Sequence, residues 1–168
     1  MPASVLEAFT ASDLAASLRP AARAVSRLDA FLDAVLDQLK AQLPPRVDIQ
    51  RFPADAERYD FAGRDAAVLV ICTESTIART PTAATAAAIE TVTFVCSVLV
   101  RSLDGAHGAP ALIEDVRLAL QGASLAGASA IQPLGFRLAD QGEGAFQFDV
   151  SFETRMPALS AIHHPAMR

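Results

Sequence analysis

Residues 145 to 155, AFQFDVSFETR, alternate between apolar and polar side chains with period two. Phe146, Phe148, Val150, Phe152 and Thr154 fall on one side, and Ala145, Gln147, Asp149, Ser151, Glu153 and Arg155 on the other. Successive side chains of a strand point to opposite faces, so this stretch is a strand with one face in a core and one in water. A long element of this kind needs a sheet around it and a second layer beneath it. The polar side is a regular surface suited to water or to a partner.

The remaining periodicities supply that layer. Leu28, Phe31, Leu32, Val35, Leu36, Leu39 and Leu43 share one helical face. Ser26 stands at the helix start, with Asp29 three residues on in a variant of the capping box, and Pro44 and Pro45 end it. Asp29, Asp33 and Asp37 repeat every four residues on the other side, either a solvated face or an acidic stripe facing a pore or partner. Leu112, Ile113, Val116, Ala119 and Leu120 mark a second amphipathic helix, with Pro110 at its start and Gly122 at its end.

Short strands are expected at Val47 to Phe52, at Ala66 to Cys72 (a continuous apolar run suited to a central strand), and at Ile131 to Leu138. Ile89 to Arg101 is a longer strand with Val92, Phe94, Cys96, Val98 and Val100 on one face. Thr73 to Ala87 shows neither period and is expected to be a long loop. Together these predict an α+β domain, a mostly antiparallel sheet of about five strands with two helices packed on one face. Residues 1–25 read as an N-terminal arm or short helix, 26–157 as the domain and 158–168 as a C-terminal tail. Phe148→Ala is expected to remove a core aromatic at about 3–5 kcal/mol, whereas Gln147→Ala leaves folding nearly intact.

Chemical motifs are sparse. The chain has no GxxxxGK[ST], GxGxxG, HExxH or GxSxG. Asp149 and Glu153 share a strand face about 13 Å apart, beyond the separation of a glycosidase pair. His107 lies in a turn, and the neighbouring His163 and His164 are poorly placed to chelate one ion. Cys72 and Cys96 sit in apolar runs and read as buried free thiols, a disulfide being the alternative. No catalytic residue, metal ligand or cofactor is therefore assigned. A net charge of −5, no Trp and a single Tyr leave neither a basic footprint nor a stacking surface for nucleic acid. The N-terminus lacks a signal-peptide pattern, and no apolar run approaches the length that crosses a bilayer, so a cytoplasmic site of synthesis and no membrane partner are expected.

One resemblance goes further. ALIEDVRLALQG (111 to 122), IQPLGF (131 to 136) and EGAFQFDVSFETRMP (143 to 157) resemble the C-terminal half of phage tail proteins of the Mu-like Gp37 family, related in role to tail terminators. The first helix, the short strand and AAVLVIC match more loosely. The resemblance implies a virion structural protein with no enzymatic activity. It would form a homo-oligomeric ring, a hexamer, at the head-proximal end of the tail. The ring would cap the tail tube, with tube and sheath proteins and the head–tail connector as partners, and genomic DNA would pass through without sequence-specific binding. Closed rings use head-to-tail contacts between two different patches. Gln147, Asp149, Ser151, Glu153 and Arg155, together with Thr76, Arg79 and Thr82 of the expected loop, are the candidate subunit or tube interface. Asp29, Asp33 and Asp37 are the candidate acidic lumen or partner face, where negative charge would keep DNA mobile. Another head–tail joining component and a cytoplasmic small-molecule-binding module are the competing readings.

Overall fold

The computed structural model describes residues 26–54, 59, 64–78, 88–105, 108–142 and 144–158. The expected N-terminal arm, most of the expected C-terminal tail, and the three histidines lie outside the described residues. Helix α1 (Arg27–Gln42) is followed by β1 (Asp48–Arg51), β2 (Ala66–Ala78) and β3 (Ile89–Val100). Helix α2 (Ala109–Leu120) then leads to β4 (Gln132–Gly142) and β5 (Ala145–Pro157). The five strands form one sheet in the order β1-β2-β3-β5-β4. Every pairing is antiparallel except β1 with β2, which is parallel. The α+β reading therefore holds, with two helices on a mostly antiparallel sheet.

Periodicity dictates the core. Phe31, Val35 and Leu39 of α1 and Leu112, Val116 and Leu120 of α2 are buried against one face of the sheet. That face is built by Val68 and Val70 of β2, Val92 to Val100 at alternate positions of β3, and Val150 and Phe152 of β5. Phe94 is its aromatic centre. It stacks on Phe152 at 5.3 Å between ring centroids and meets Phe31 edge-on at 5.4 Å. Phe146 and Phe148 pack only at the margin of this cluster and stay half-buried. The large cost expected for Phe148→Ala therefore belongs to Phe94, because Phe148 borders an open groove at the start of α2 whereas Phe94 is enclosed.

Three local expectations change. Ser26 makes no side-chain capping bond; its carbonyl accepts from the Ala30 amide at 2.9 Å, so the capping box is not formed. The second is the expected loop after Cys72. Strand β2 continues through Thr73 to Ala78, with a register shift between Cys72 and Glu74 that resets its alternation. A bulge of this kind inserts a residue and scrambles the period-two signal in the sequence. Finally, β4 runs on to Gly142, past another shift between Leu138 and Asp140.

The connection from α2 to β4 is tied down by polar contacts. Thr154, buried in β5, donates to the Ser129 carbonyl at 2.7 Å, and the Arg155 amide donates to Ser129 Oγ at 3.0 Å. Thr154→Val keeps the shape but leaves that carbonyl without its donor. It should cost about 1–3 kcal/mol in urea unfolding; an unchanged midpoint would show that the loop is held by other contacts.

Candidate functional site

The face of the sheet away from the helices carries the sequence-selected residues of β5. Gln147, Asp149, Ser151, Glu153 and Arg155 all lie there, and the strand register gives each its neighbours. Asp149 stands between Ser97 of β3 and Arg137 of β4. Ser97 Oγ donates to Asp149 Oδ1 at 2.8 Å, and Gln147 Nε2 donates to the same oxygen at 3.1 Å. Arg137 Nη2 lies 3.6 Å from Asp149 Oδ2. The carboxylate is thus largely used inside the chain, satisfying the hydroxyl of Ser97, which is only 2 % exposed. Ser151 and Glu153 are half-buried, and Arg155 is exposed.

Thr76 belongs to this face as well. It is aligned through Thr91 with Arg155, so a residue expected in a loop sits on the same row of the sheet as the end of β5. Arg79 and Thr82 lie outside the described residues. The face is less uniformly polar than β5 alone implies. Its β2 side presents Ala67, Leu69 and Ile71, and Leu69 is buried although it points away from the helices. A single strand reports only its own alternation; the apolar half comes from β2, whose continuous apolar run Ala66 to Cys72 suits a central strand.

The acidic row on α1 acquires a cation. Arg51, on the inward-alternating side of β1, reaches Asp29 Oδ1 at 2.5 Å and Asp33 Oδ1 at 2.7 Å, and also donates to the Asp29 carbonyl at 2.8 Å. Its hydrogen bonds to the accepting carboxylates of Asp29 and then Asp33 raise the guanidinium pKa further, so Arg51 stays charged. Asp37 is exposed at the far end of the row. The stripe is therefore two carboxylates clamped by one guanidinium plus a third carboxylate, not three free charges. Exposed pairs of this kind add about 0–1 kcal/mol each, and the clamp mainly fixes β1 against α1.

The edge of the sheet carries a feature on the strand expected at Ile131 to Leu138. On β4, Leu134, Phe136 and Leu138 are 56 %, 55 % and 50 % exposed. Phe136 and Phe148, with Leu103, Ala109, Pro110 and Ile113, line a groove of about 390 Å³ between β4 and the start of α2. The alternation of Leu134, Phe136 and Leu138 was visible in the sequence; that β4 is an edge strand beyond the helices was not.

The thiols carry no chemistry of their own here. Cys96 is fully buried, and burial pushes its thiol far above the ordinary value. Burial also raises the half-buried Cys72. A thiol-reactive probe at mildly alkaline pH should modify Cys72 slowly and Cys96 only on unfolding. Because both pKa values are raised on folding, the unfolded chain ionises first. Their contribution to stability is whole below the ordinary thiol pKa and declines as pH rises through it. Labelling of Cys96 at the rate of a free thiol in the native state would contradict the buried placement. Among the described residues no group of three or more His, Cys, Asp or Glu side chains is placed to hold a metal ion.

Comparison with known proteins now decides the family. The profile described as Gp37 protein matches residues 35–167, from the second half of α1 through every strand. The chain belongs to the Gp37 protein family. No curated protein sequence matches it. Among solved structures, the Gp37 family chain is similar to a chain described as "Virion of native gene transfer agent (GTA) particle". The two share 22 % identity with a TM-score of 0.53, over 81 % of this chain and 99 % of the other. At that identity the likeness is one of fold, and it covers nearly the whole of the virion chain.

Proposed function

We propose that this Gp37 family member is a structural protein of a phage or phage-like virion, acting as a tail terminator. In this reading identical copies form a ring, a hexamer, at the head-proximal end of the tail. The ring caps the tube, meets the head–tail connector and leaves a channel for DNA. The observation that carries the reading is the likeness of fold to a chain of a gene transfer agent virion over 99 % of that chain, joined to family membership. The geometry supports it in two respects. A ring needs two unlike patches on each copy, and this sheet ends in two unlike edges, β4 on one side and the distal part of β2 on the other. A net charge of −5 also disfavours tight adhesion to passing DNA. The role needs no catalytic group, and the polar residues of β5 serve as a contact surface.

The test is assembly of the full chain. Light scattering and negative-stain images should show closed rings with an open centre, alone or with tube protein, and the rings should limit tube length when added to polymerising tube protein. A chain that stays monomeric in the presence of tube protein and leaves tube length unchanged would refute the reading.

A further inference from the structure

The two edges of the sheet are open in complementary ways. Among the described residues β4 pairs only with β5, and none of them takes up the backbone donors and acceptors of its outer edge. On the other side β1 covers β2 only from Ala67 to Val70, followed by one bond from the Phe52 amide to the Val70 carbonyl. Among the described residues nothing pairs with that edge from Ile71 to Ala78. Long exposed edges are templates for another strand, and natural monomers blunt them with charge, proline or cover. Here the β4 edge carries the exposed Leu134, Phe136 and Leu138 alongside Pro133, Arg137 and Asp140, and the β2 edge carries one exposed acid, Glu74.

Strand direction makes the edges a matched pair. From β2 through β3 and β5 to β4 every neighbour is antiparallel, so β4 runs opposite to β2. In a ring, adjacent copies keep the same orientation, and β4 of one copy meets β2 of the next antiparallel. The alternation of the sheet then continues unbroken from copy to copy.

Side-chain chemistry agrees with this direction on both faces. Toward the helices, β4 presents Phe136 and Leu138, aligned with Val150 and Phe148, while β2 presents Ser75 and the 54 % exposed Ile77. Away from the helices, β4 presents Arg137, 80 % exposed in its side chain, and β2 presents Glu74. The register that sets Arg137 opposite Glu74 sets Phe136 opposite Ser75 and one pleat from Ile77, within reach of an aromatic ring. Opposite charges meet on one face and apolar groups on the other.

We propose that β4 of one copy adds to the Ile71–Ala78 edge of β2 in a second copy of this chain, joining the sheets into one continuous antiparallel surface. This deepens the ring reading and rests on it. Main-chain hydrogen bonds supply the contact, and Arg137 with Glu74 fixes the register. Other occupants of these edges, such as a strand of the tube protein, become outcomes of the test.

The experiment measures assembly of the full chain by mass photometry and light scattering for wild type, Glu74→Arg, Ile77→Asp, Arg137→Glu and the Glu74→Arg/Arg137→Glu double variant, with thermal melts as a control for folding. Each single variant should raise the concentration needed for half-assembly by about tenfold or more, and the double variant should recover most of that loss. Arg137 also neighbours Asp149, so if Arg137→Glu fails to fold, Glu74→Arg and Ile77→Asp alone decide the matter. If those two assemble like wild type, the edge pairing is wrong and the ring reading stands. If wild type makes no ring even with tube protein present, the ring reading falls and the pairing falls with it. Variants that form wild-type rings but no longer cap the tube would assign the β2 edge to a tube strand instead and overturn the pairing between copies.

Discussion

Phe94→Ala should lower the unfolding free energy by about 3–5 kcal/mol, the largest loss expected from any single truncation in this chain. Phe94 is fully buried at the middle of β3, between the sheet and α1. Its ring touches two others, stacked on Phe152 from the paired strand and edge-on to Phe31 from the helix. Truncation removes the transfer free energy of the ring and both aromatic contacts, each worth about 0.5–1.5 kcal/mol beyond its area. The two rings around it belong to a helix and to a neighbouring strand. Phe148→Ala, at the half-buried margin, should cost clearly less. Denaturant melts of the two variants measure the difference, and equal losses would mean that the core is not centred on Phe94.

Gly108→Ala should also be damaging, though the added atom is one methyl. Gly108 precedes α2, and its carbonyl accepts from the Leu112 amide at 3.2 Å to start the helix. A Cβ built there would lie 2.6 Å from the Asp104 carbonyl oxygen and 2.7 Å from that of Leu103. Both are backbone atoms, so no side chain can rotate aside. The turn must open, which strains the hydrogen bonds that the Gly108 amide donates to the Gly105 carbonyl and the Ala109 amide to the Ser102 carbonyl. A cost of about 1–3 kcal/mol follows. Loss of less than about 0.5 kcal/mol, the range of an ordinary surface change, would show that this turn relaxes freely. The same change loosens the start of α2, one wall of the apolar groove.

Several features were legible from particular residues. The 145–155 alternation gave β5 and its inward face, and Val92 to Val100 gave β3. Two leucine-rich helical faces gave the layer that covers them. The residues of β5 selected for contact do lie together on the outer face, with Thr76 on the same row. Other features were hidden for physical reasons. The bulge between Cys72 and Glu74 broke the period that would have extended β2, so a strand read as a loop. Asp149 looked like a free surface acid, but its partners Ser97 and Arg137 come from two other strands. Arg51 looked like an alternating strand residue, and only the packing of β1 on α1 made it the clamp of Asp29 and Asp33.

Sequence alone determined which elements form and which side of each is apolar, because helix and strand periods are local and are set by neighbouring residues. The tertiary structure decided strand order, and with it which strands became edges. That choice depends on contacts between residues far apart in the chain, so no local pattern could show that Phe136 and Leu138 would stand exposed at one edge and Ile77 beside the opposite one.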